Sequence, residues 1–180
     1  MKKLLKTLLI ISSLASFILA VTGCEEVEEQ TFEKIDGEYP DRWADSLLVV
    51  QTKGEFTQYE MFAVHMDTYS SKKLTLADTV TIKVFDKEGL LQTTLTCDKA
   101  RINDARNTFT GIGNVIVDSE NGNLKTEYLK WYRATDELEA KDGVEVTRGT
   151  NILWGEEMKT DINLDRIEIT KVSAEGKIDE

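Results

Sequence analysis

The chain has 180 residues, of which 41% are hydrophobic, and it contains a single proline. This size and hydrophobic content suit one domain with a buried core. The formal net charge of −11 excludes nucleic-acid binding and adhesion to anionic membrane surfaces, because both need clustered lysine and arginine.

The first 23 residues have the pattern of a secretory signal peptide. Lys2, Lys3 and Lys6 give a positively charged start, and residues 8–21 carry no charge. This apolar run is shorter than the ~20 residues that a membrane-spanning helix needs, and it matches the hydrophobic region of an export signal. We therefore expect residues 1–23 to be absent from the mature protein.

Cys24 is the expected site of a lipid anchor. Val21-Thr22-Gly23-Cys24 resembles the processing site of bacterial lipoproteins, in which a cysteine after small residues is lipidated and becomes the new N-terminus. More than one acyl chain makes such an anchor stable, so the protein would be tethered to a membrane and would not span it. An ordinary signal peptide followed by an incidental cysteine is the alternative.

Residues 24–42 are expected to form an acidic linker between the lipid and the folded domain, which is expected over residues 43–180. The linker is rich in glutamate and aspartate and poor in large apolar side chains. Repulsion between like charges keeps such a segment extended.

The remaining cysteine and the histidine give no sign of catalysis or metal binding. With Cys24 lipidated, Cys97 has no disulfide partner, and its place in an alternating strand favours a small buried hydrophobe over a nucleophile. His65 is the only histidine, so we expect it to be structural or exposed. An enzyme needs a nucleophile with a base, or paired carboxylates in a site. We expect no enzyme, no metal and no cofactor.

Alternation of apolar and polar side chains predicts an all-β domain. Residues 56–66 mix two phases of alternation, whereas residues 80–84 and 91–97 alternate cleanly. Turn sequences follow at residues 86–89 and 121–123, and no segment has a helical period. Strands of about 5–7 residues are expected every ~10–15 residues.

A short element rich in glycine, aspartate and asparagine recurs at intervals of about 30 residues. Its copies lie at residues 110–117, 141–146 and, more weakly, 174–178, and residues 77–84 open what looks like an earlier copy. We interpret each copy as a turn that leads into a strand. Recurrence of one strand unit predicts a long β-roll or an elongated, jelly-roll-like sheet.

Several of these segments resemble the LptC family, the periplasmic bridge of the lipopolysaccharide export machinery. Residues 74–86 and 95–101 carry the likeness, residues 111–118 resemble the family's glycine–valine strand, and residues 155–161 resemble the start of its closing strands. The similarity covers about residues 45–178, and the related LptA-like bridge proteins share it. The lipoprotein signal is a departure, since the family is often anchored by an N-terminal transmembrane helix.

The resemblance implies an open, V-shaped β-jelly-roll whose apolar trough passes the acyl chains of lipopolysaccharide. The protein would receive lipopolysaccharide from an ATPase–permease complex and pass it to an LptA-like bridge protein, at the periplasmic face of the inner membrane. For each trough-lining candidate an ordinary closed core is the alternative. The candidates are Val80, Ile82, Val84, Leu95, Val115, Val117, Val144, Val146, Ile167 and Ile169.

The resemblance also implies that both edge strands of the open roll bind partners by β-augmentation. The N-terminal edge would meet the transporter, and the C-terminal edge would meet the next bridge protein. A non-enzymatic scaffold or adhesin-type surface lipoprotein with a closed β core is the alternative function. The expected C-terminal edge strand consists of Arg166, Ile167, Glu168, Ile169, Thr170, Lys171 and Val172.

Overall fold

The computed structural model describes residues 39–175. The expected signal peptide, the expected lipidation site Cys24, linker residues 24–38 and the last five residues of the expected domain, 176–180, lie outside the described residues. Within residues 39–175, no helix is long and apolar enough to cross a membrane.

Eleven antiparallel strands form one sheet in which each long strand pairs with its neighbours in the chain. A single turn of 3-10 helix, Ser70–Lys72, joins the second strand to the third. The strands are β1 Arg42–Lys53, β2 Phe56–Tyr69, β3 Leu74–Phe85, β4 Leu91–Asn103, β5 Thr108–Ser119, β6 Gly122–Tyr132, β7 Glu137–Arg148, β8 Asn151–Gly155, β9 Glu157–Asp161, β10 Ile167–Thr170 and β11 Ser173–Glu175.

The last four strands behave as two interrupted long strands. β8 pairs with residues 144–148 of β7, and β9 pairs with residues 137–140 of the same strand. β10 then pairs with β9, and β11 pairs with β8. The meander therefore continues to the end of the sheet. One interrupted strand is broken between β8 and β9, and the other is broken between β10 and β11.

A line of residues with left-handed backbone conformation crosses the whole sheet. It runs through Ser46, Thr79, Gly113–Asn114, Asp142–Gly143 and Lys171, all with φ between 47° and 87°. These residues lie on every second strand of the meander, and the cross-strand pairing is interrupted beside each of them. We call this line the crease.

The crease reverses the pleat of every strand that crosses it. Ala77 and Val80 of β3 are both buried although they are three residues apart, and Cys97 and Ala100 of β4 repeat this spacing. A regular strand buries every second residue, so the odd step shows that the alternation shifts by one residue at the crease. With this shift, the buried side chains on both sides of the crease face one interior.

The fold divides the sheet into two walls. Residues on one side of the crease form wall A, and residues on the other side form wall B. Wall A comprises residues 47–63, 80–97, 115–126, 144–155 and 173–175, and wall B comprises residues 42–45, 65–78, 99–112, 128–141 and 157–170.

The margins of the walls that lie away from the crease are called the lips. Beside the crease, the interior row of wall B contains the small residues Ala77, Ala100, Gly111 and Ala140, together with Leu129 and Met158. A Cβ atom on Gly111 would lie 3.3 Å from the sulfur of Cys97 on wall A, so the walls approach closely here.

Nearer the lips, large side chains fill the widening space between the walls. Phe109, Trp131 and Leu138 of wall B are at most 2% exposed. The rings of Tyr59 on wall A and Trp131 on wall B lie edge to face, with centroids 5.9 Å apart. In the described pairing β1 is bonded only to β2, so the roll stays open at its edges. The expected all-β, V-shaped open roll is confirmed.

The strand lengths expected from the sequence were wrong. Strands β1 to β7 have 11 to 14 residues, because each long strand passes through the crease. Gly113–Asn114 and Asp142–Gly143 were expected to lead into strands, yet they lie within β5 and β7. Asn-Gly and Asp-Gly combinations favour turns because they accept positive φ, and here the positive φ bends a strand. The recurrence at residues 77–84, 110–117 and 141–146 thus marks the crease. The weaker copy at residues 174–178 begins after Lys171, the last described member of the crease, and its residues 176–178 lie outside the described residues.

Substitution by glycine should affect the free energy of unfolding differently at Thr79, which lies in the crease, and at Thr81, which lies in regular strand. Thr79 is a β-branched residue at φ 50°, a conformation that costs an L-residue about 1–2 kcal/mol and glycine almost nothing. We expect Thr79→Gly to leave the free energy of unfolding unchanged or to raise it. Thr81→Gly, two residues along in regular strand, should lower it by about 1 kcal/mol. Urea unfolding of both variants measures this, and equal losses at the two positions would contradict it.

Candidate functional site

Eight of the ten expected trough residues line wall A. All eight are buried, with exposed fractions between 0% and 9%. Ile167 and Ile169 lie on wall B, where they are half-buried and pack against the same core cluster. The structure therefore places all ten against one apolar interior. The eight on wall A are Val80, Ile82, Val84, Leu95, Val115, Val117, Val144 and Val146.

Alternation in the sequence did not reveal most of the interior of wall B. The reversal of pleat at the crease puts these side chains in the opposite phase from the wall A side chains of the same strands, and several are alanine, which gives little hydrophobic signal. The mixed phases of residues 56–66 have another origin, since Phe62 and Val64 are exposed on the outer face while Met61 and Ala63 are buried. The missed residues are Met66, Ala77, Ala100, Ile102, Phe109, Leu129, Trp131, Leu138, Ala140 and Met158.

The residues that link β9 to β10 cross from wall B to the lip of wall A. We call residues 162–166 the strap. Ile162 and Leu164 of the strap are buried, at 6% and 0% exposure, beneath the ends of the wall A strands. Thr93 donates a hydrogen bond to the Ile162 carbonyl (3.1 Å), and Ser119 donates one to the Asn163 carbonyl (2.9 Å). The strap thus closes this part of the mouth between the lips.

Arg148 and Asn121 fasten the strap more firmly. The Arg148 guanidinium donates to the carbonyl oxygens of Leu164 and Asp165, and its Nε donates to the Asn121 carbonyl at 3.1 Å. The Asn121 amide in turn donates to the Asp165 carboxylate at 2.6 Å. Charge-assisted hydrogen bonds of this kind are stronger than neutral ones. The strap therefore joins the two walls at the lips, away from the crease.

Cys97 lies in the interior, as expected. It is 4% exposed on wall A, next to the crease. Burial, together with the nearby Asp98 carboxylate, raises the pKa of the Cys97 thiol to about 12. A thiol that stays protonated at neutral pH is a poor nucleophile. The interpretation of Cys97 as a core residue is confirmed.

His65 links the edge strand β1 to β2 beside the crease. Its Nδ1 lies 2.6 Å from a carboxylate oxygen of Asp45 on β1, and its Nε2 lies 3.3 Å from Asp67 on its own strand. Asp78 of β3 is its cross-strand partner on the other side. The hydrogen bond to Asp45 is the main cause that raises the pKa of His65; burial opposes it, and Asp67 adds to it. Within the described part of the chain, no group of three or more histidine, cysteine, aspartate or glutamate side chains is placed to hold a metal ion.

The expected C-terminal edge strand lies at an edge of the sheet. β10, Ile167–Thr170, pairs on one side with β9, and in the described pairing it has no strand on its other side. Lys171 belongs to the crease, and its ammonium group pairs with the Glu156 carboxylate. Arg166 and Val172 flank the strand. At the other edge of the sheet, β1 leaves a row of twelve residues with one side unpaired.

A sequence-family comparison matches residues 8–175 to the family described as lipopolysaccharide-assembly, LptC-related. The chain belongs to this family. A search of curated protein sequences finds no match. The expected resemblance is confirmed at the level of the family.

A comparison of folds finds the crystal structure of LptH from Pseudomonas aeruginosa. That protein is described as the LptA homologous periplasmic component of the lipopolysaccharide transport device. The two structures superpose with a TM-score of 0.53 over 74% of this chain and 96% of that chain, at 10% sequence identity. This likeness concerns the fold, and it shows that the LptC-related chain has the architecture of an LptA-type roll.

The position of His65 predicts a pH dependence of stability. A pKa above its unfolded value of about 6.5 means that protonated His65 stabilises the fold. This contribution is fully present below about pH 6.5 and is lost as the pH rises through the folded-state pKa. We expect His65→Gln to cost roughly 0.5 kcal/mol more at about pH 5.5 than at about pH 9, since His65 is partly exposed.

Urea unfolding of the wild type and of His65→Gln at both pH values measures this difference. Asp45→Asn removes the principal partner of His65. Like His65→Gln, it should therefore cost more stability at the lower pH than at the higher pH. A cost of His65→Gln that is equal at the two pH values, or larger at the higher one, would contradict the assignment.

Proposed function

We propose that this LptC-related chain is a membrane-tethered bridge protein of lipopolysaccharide export. It receives lipopolysaccharide from an inner-membrane ATPase–permease complex, shelters the acyl chains between walls A and B, and passes them to an LptA-like protein. The observation that carries this proposal is an apolar interior that runs the length of a folded sheet whose edges stay unpaired. Burial of acyl chains there contributes about 25 cal/mol per Å² of apolar surface, while the sugar head stays in water.

Loading requires the two walls to move apart. The interior side chains pack against each other, with Leu95, Val117 and Leu138 at 0% exposure. An acyl chain can enter only where wall-to-wall contacts are replaced by contacts with the lipid. The exchange is of apolar surface for apolar surface, so its net cost is small compared with exposure of the interior to water. The crease, which the strands cross without a break in the chain, is the natural hinge.

The two edges of the sheet suit the proposed partners. Beside the unpaired edge of β1, the outer face carries Leu48 and Val50, and the adjacent β2 carries Phe62 and Val64, all exposed. Leu48 and Phe62 are direct cross-strand partners. An apolar outer face next to an unpaired edge favours addition of another sheet. We assign β1 to the transporter and residues 166–172 to the LptA-like protein.

Anchoring through a lipid on Cys24 completes the proposal. An acidic linker over residues 24–42 would separate the roll from the membrane surface, which its net charge repels. The roll would then stand in the periplasm on the inner membrane. The work of transport would come from the ATPase–permease complex, and the chain itself would act without catalysis or cofactor.

A second candidate function is a scaffold-type surface lipoprotein. The packed interior favours it, because a closed β core has no need to open. The strap, held by Arg148 and Asn121, adds to this closure. The two functions differ in one testable respect, which is contact between interior side chains and lipid.

Site-specific photo-crosslinking in cells separates the two functions. A photoreactive amino acid at Ile82, which is 1% exposed in the interior of wall A, should label lipopolysaccharide. Lys83 follows Ile82 in β3 and is exposed on the opposite face, so the same probe there should give no lipid product. Immunoblots with antibodies against lipopolysaccharide and against the protein measure both outcomes.

If neither position labels in a protein that is folded and membrane-bound, the scaffold function replaces the conduit. Labelling at Lys83 but not at Ile82 would mean that lipid contacts the outside of the roll. That result would contradict the assignment of the trough.

A further inference from the structure

Three buried polar atoms on one side of the interior have no hydrogen-bond partner among the described residues. They are Nε1 of the Trp131 indole, Nε of the Arg133 guanidinium and the hydroxyl Oγ1 of Thr160. Native structures pair almost all buried polar atoms, so each exception calls for an explanation. Trp131 is 2% exposed and Thr160 is 5% exposed.

The three atoms belong to neighbouring positions near the lip of wall B. Trp131 on β6 is the cross-strand partner of Leu138 on β7, and Leu138 is the partner of Thr160 on β9. Adjacent strands lie about 4.8 Å apart, so two strand spacings, roughly 10 Å, separate Trp131 from Thr160. Arg133 follows Trp131 by two residues, where β6 ends at the lip. The row therefore offers polar groups along the inside of the mouth.

Tyr59 of wall A covers one end of this row. Its ring packs against Trp131, and its hydroxyl accepts a hydrogen bond from Nη1 of Arg133 at 3.4 Å. Because Tyr59 belongs to the opposite wall, separation of the walls carries it away from Trp131 and Arg133. The unpaired groups then face the space that the lipid enters.

The chemistry of the row selects a neutral hydrogen-bond acceptor. The indole and guanidinium nitrogens only donate, and the threonine hydroxyl can also donate. The charge of Arg133 is already balanced by Asp104, whose carboxylate lies 3.0 Å from Nη2. A site so deeply buried disfavours an additional phosphate charge. Carbonyl oxygens of esters and amides are the neutral acceptors that an acylated lipid carries, where its chains join the head group.

We propose that Trp131, Arg133 and Thr160 form a hydrogen-bonding site on wall B for the ester and amide carbonyl oxygens of an acylated lipid. This inference rests on the proposed function and adds a position for the lipid to it. With the carbonyl groups held near the lip, the acyl chains extend towards the crease and the head group stays outside the mouth. The unpaired atoms then have a partner in the loaded protein that they lack in the closed one.

Two substitutions test the site. Thr160→Val is isosteric and replaces the hydroxyl by a methyl group, whereas Trp131→Phe removes the indole N–H together with part of the ring. Each should weaken binding of lipopolysaccharide by about fivefold, the equivalent of one hydrogen bond. Thr160→Val should not lower the melting temperature of the lipid-free protein, because the Thr160 hydroxyl has no hydrogen bond in the closed state. Trp131→Phe should lower it, because the smaller ring leaves a cavity in the core. A purely structural role would not explain weaker lipid binding when the atom removed makes no hydrogen bond in the lipid-free protein.

Trp154→Phe is the matched control. Trp154 lies in β8 of wall A, and its indole N–H donates to the Glu145 carboxylate at 3.2 Å. Its loss should lower the melting temperature and leave lipid affinity unchanged. The measurements use the purified full chain in detergent, with lipopolysaccharide, a diacyl phosphatidylethanolamine and the dialkyl ether analogue of that phospholipid as ligands. The ether analogue has the same chains and head group but no carbonyl oxygen.

The source of the carbonyl groups follows from which ligand is affected. Weaker binding of lipopolysaccharide alone by the Trp131 and Thr160 variants assigns the site to that lipid, and weaker binding of the diacyl phospholipid assigns it to glycerophospholipids as well. Affinity for the ether analogue should be the same in wild type and variants. An equal loss for the ether analogue, or unchanged affinity for all three ligands, overturns the site. If the wild type binds neither acylated lipid, the proposed function itself fails and the site falls with it.

Discussion

The alternation of the β-pleat is the constraint on which this structure depends. Alternation gives each strand one apolar face, and a flat sheet of such strands would leave that face without a covering layer. The extra residues at the crease remove this difficulty at one transverse line. Ser46, Thr79 and Lys171 adopt left-handed conformations there without being glycine. The backbone cost at these positions is offset by burial of two walls against each other.

The crease also accounts for side-chain size in the middle of the sheet. Where the walls diverge from a common line, the space between them must be narrow at the line and wide at the lips. On β4 and β5, Ala100 and Gly111 fill the narrow part, and Ile102 and Phe109 fill the wide part.

The sequence predicted wall A far better than wall B. In wall A, residues 80–84 and 93–97 alternate branched or apolar side chains with polar ones, and this pattern is typical of a half-buried strand. In wall B the corresponding inward side chains include Ala77, Ala100 and Ala140, whose small hydrophobic signal is hard to distinguish from a loop. Turn-type sequences at residues 113–114 and 142–143 then suggested strand ends. Only the register between strands shows that they lie on one line, and pairing between distant segments leaves no mark in a single sequence. The strap was equally invisible, since its role depends on contacts between Arg148 and residues beyond β9.

In the proposed function, loading changes the angle between the walls, and labels at the two ends of β4 would report this change directly. Spin labels on Glu88→Cys and Arg106→Cys would lie on the lips of walls A and B, at exposed positions on either side of that strand. A Cys24→Ser chain avoids labelling at Cys24, and the high pKa of the buried Cys97 thiol protects it from the reagent. Pulsed electron paramagnetic resonance then gives the distance between the labels. We expect a longer distance between the labels when lipopolysaccharide is bound than in the lipid-free protein. An unchanged distance, with lipopolysaccharide shown to be bound, would contradict it.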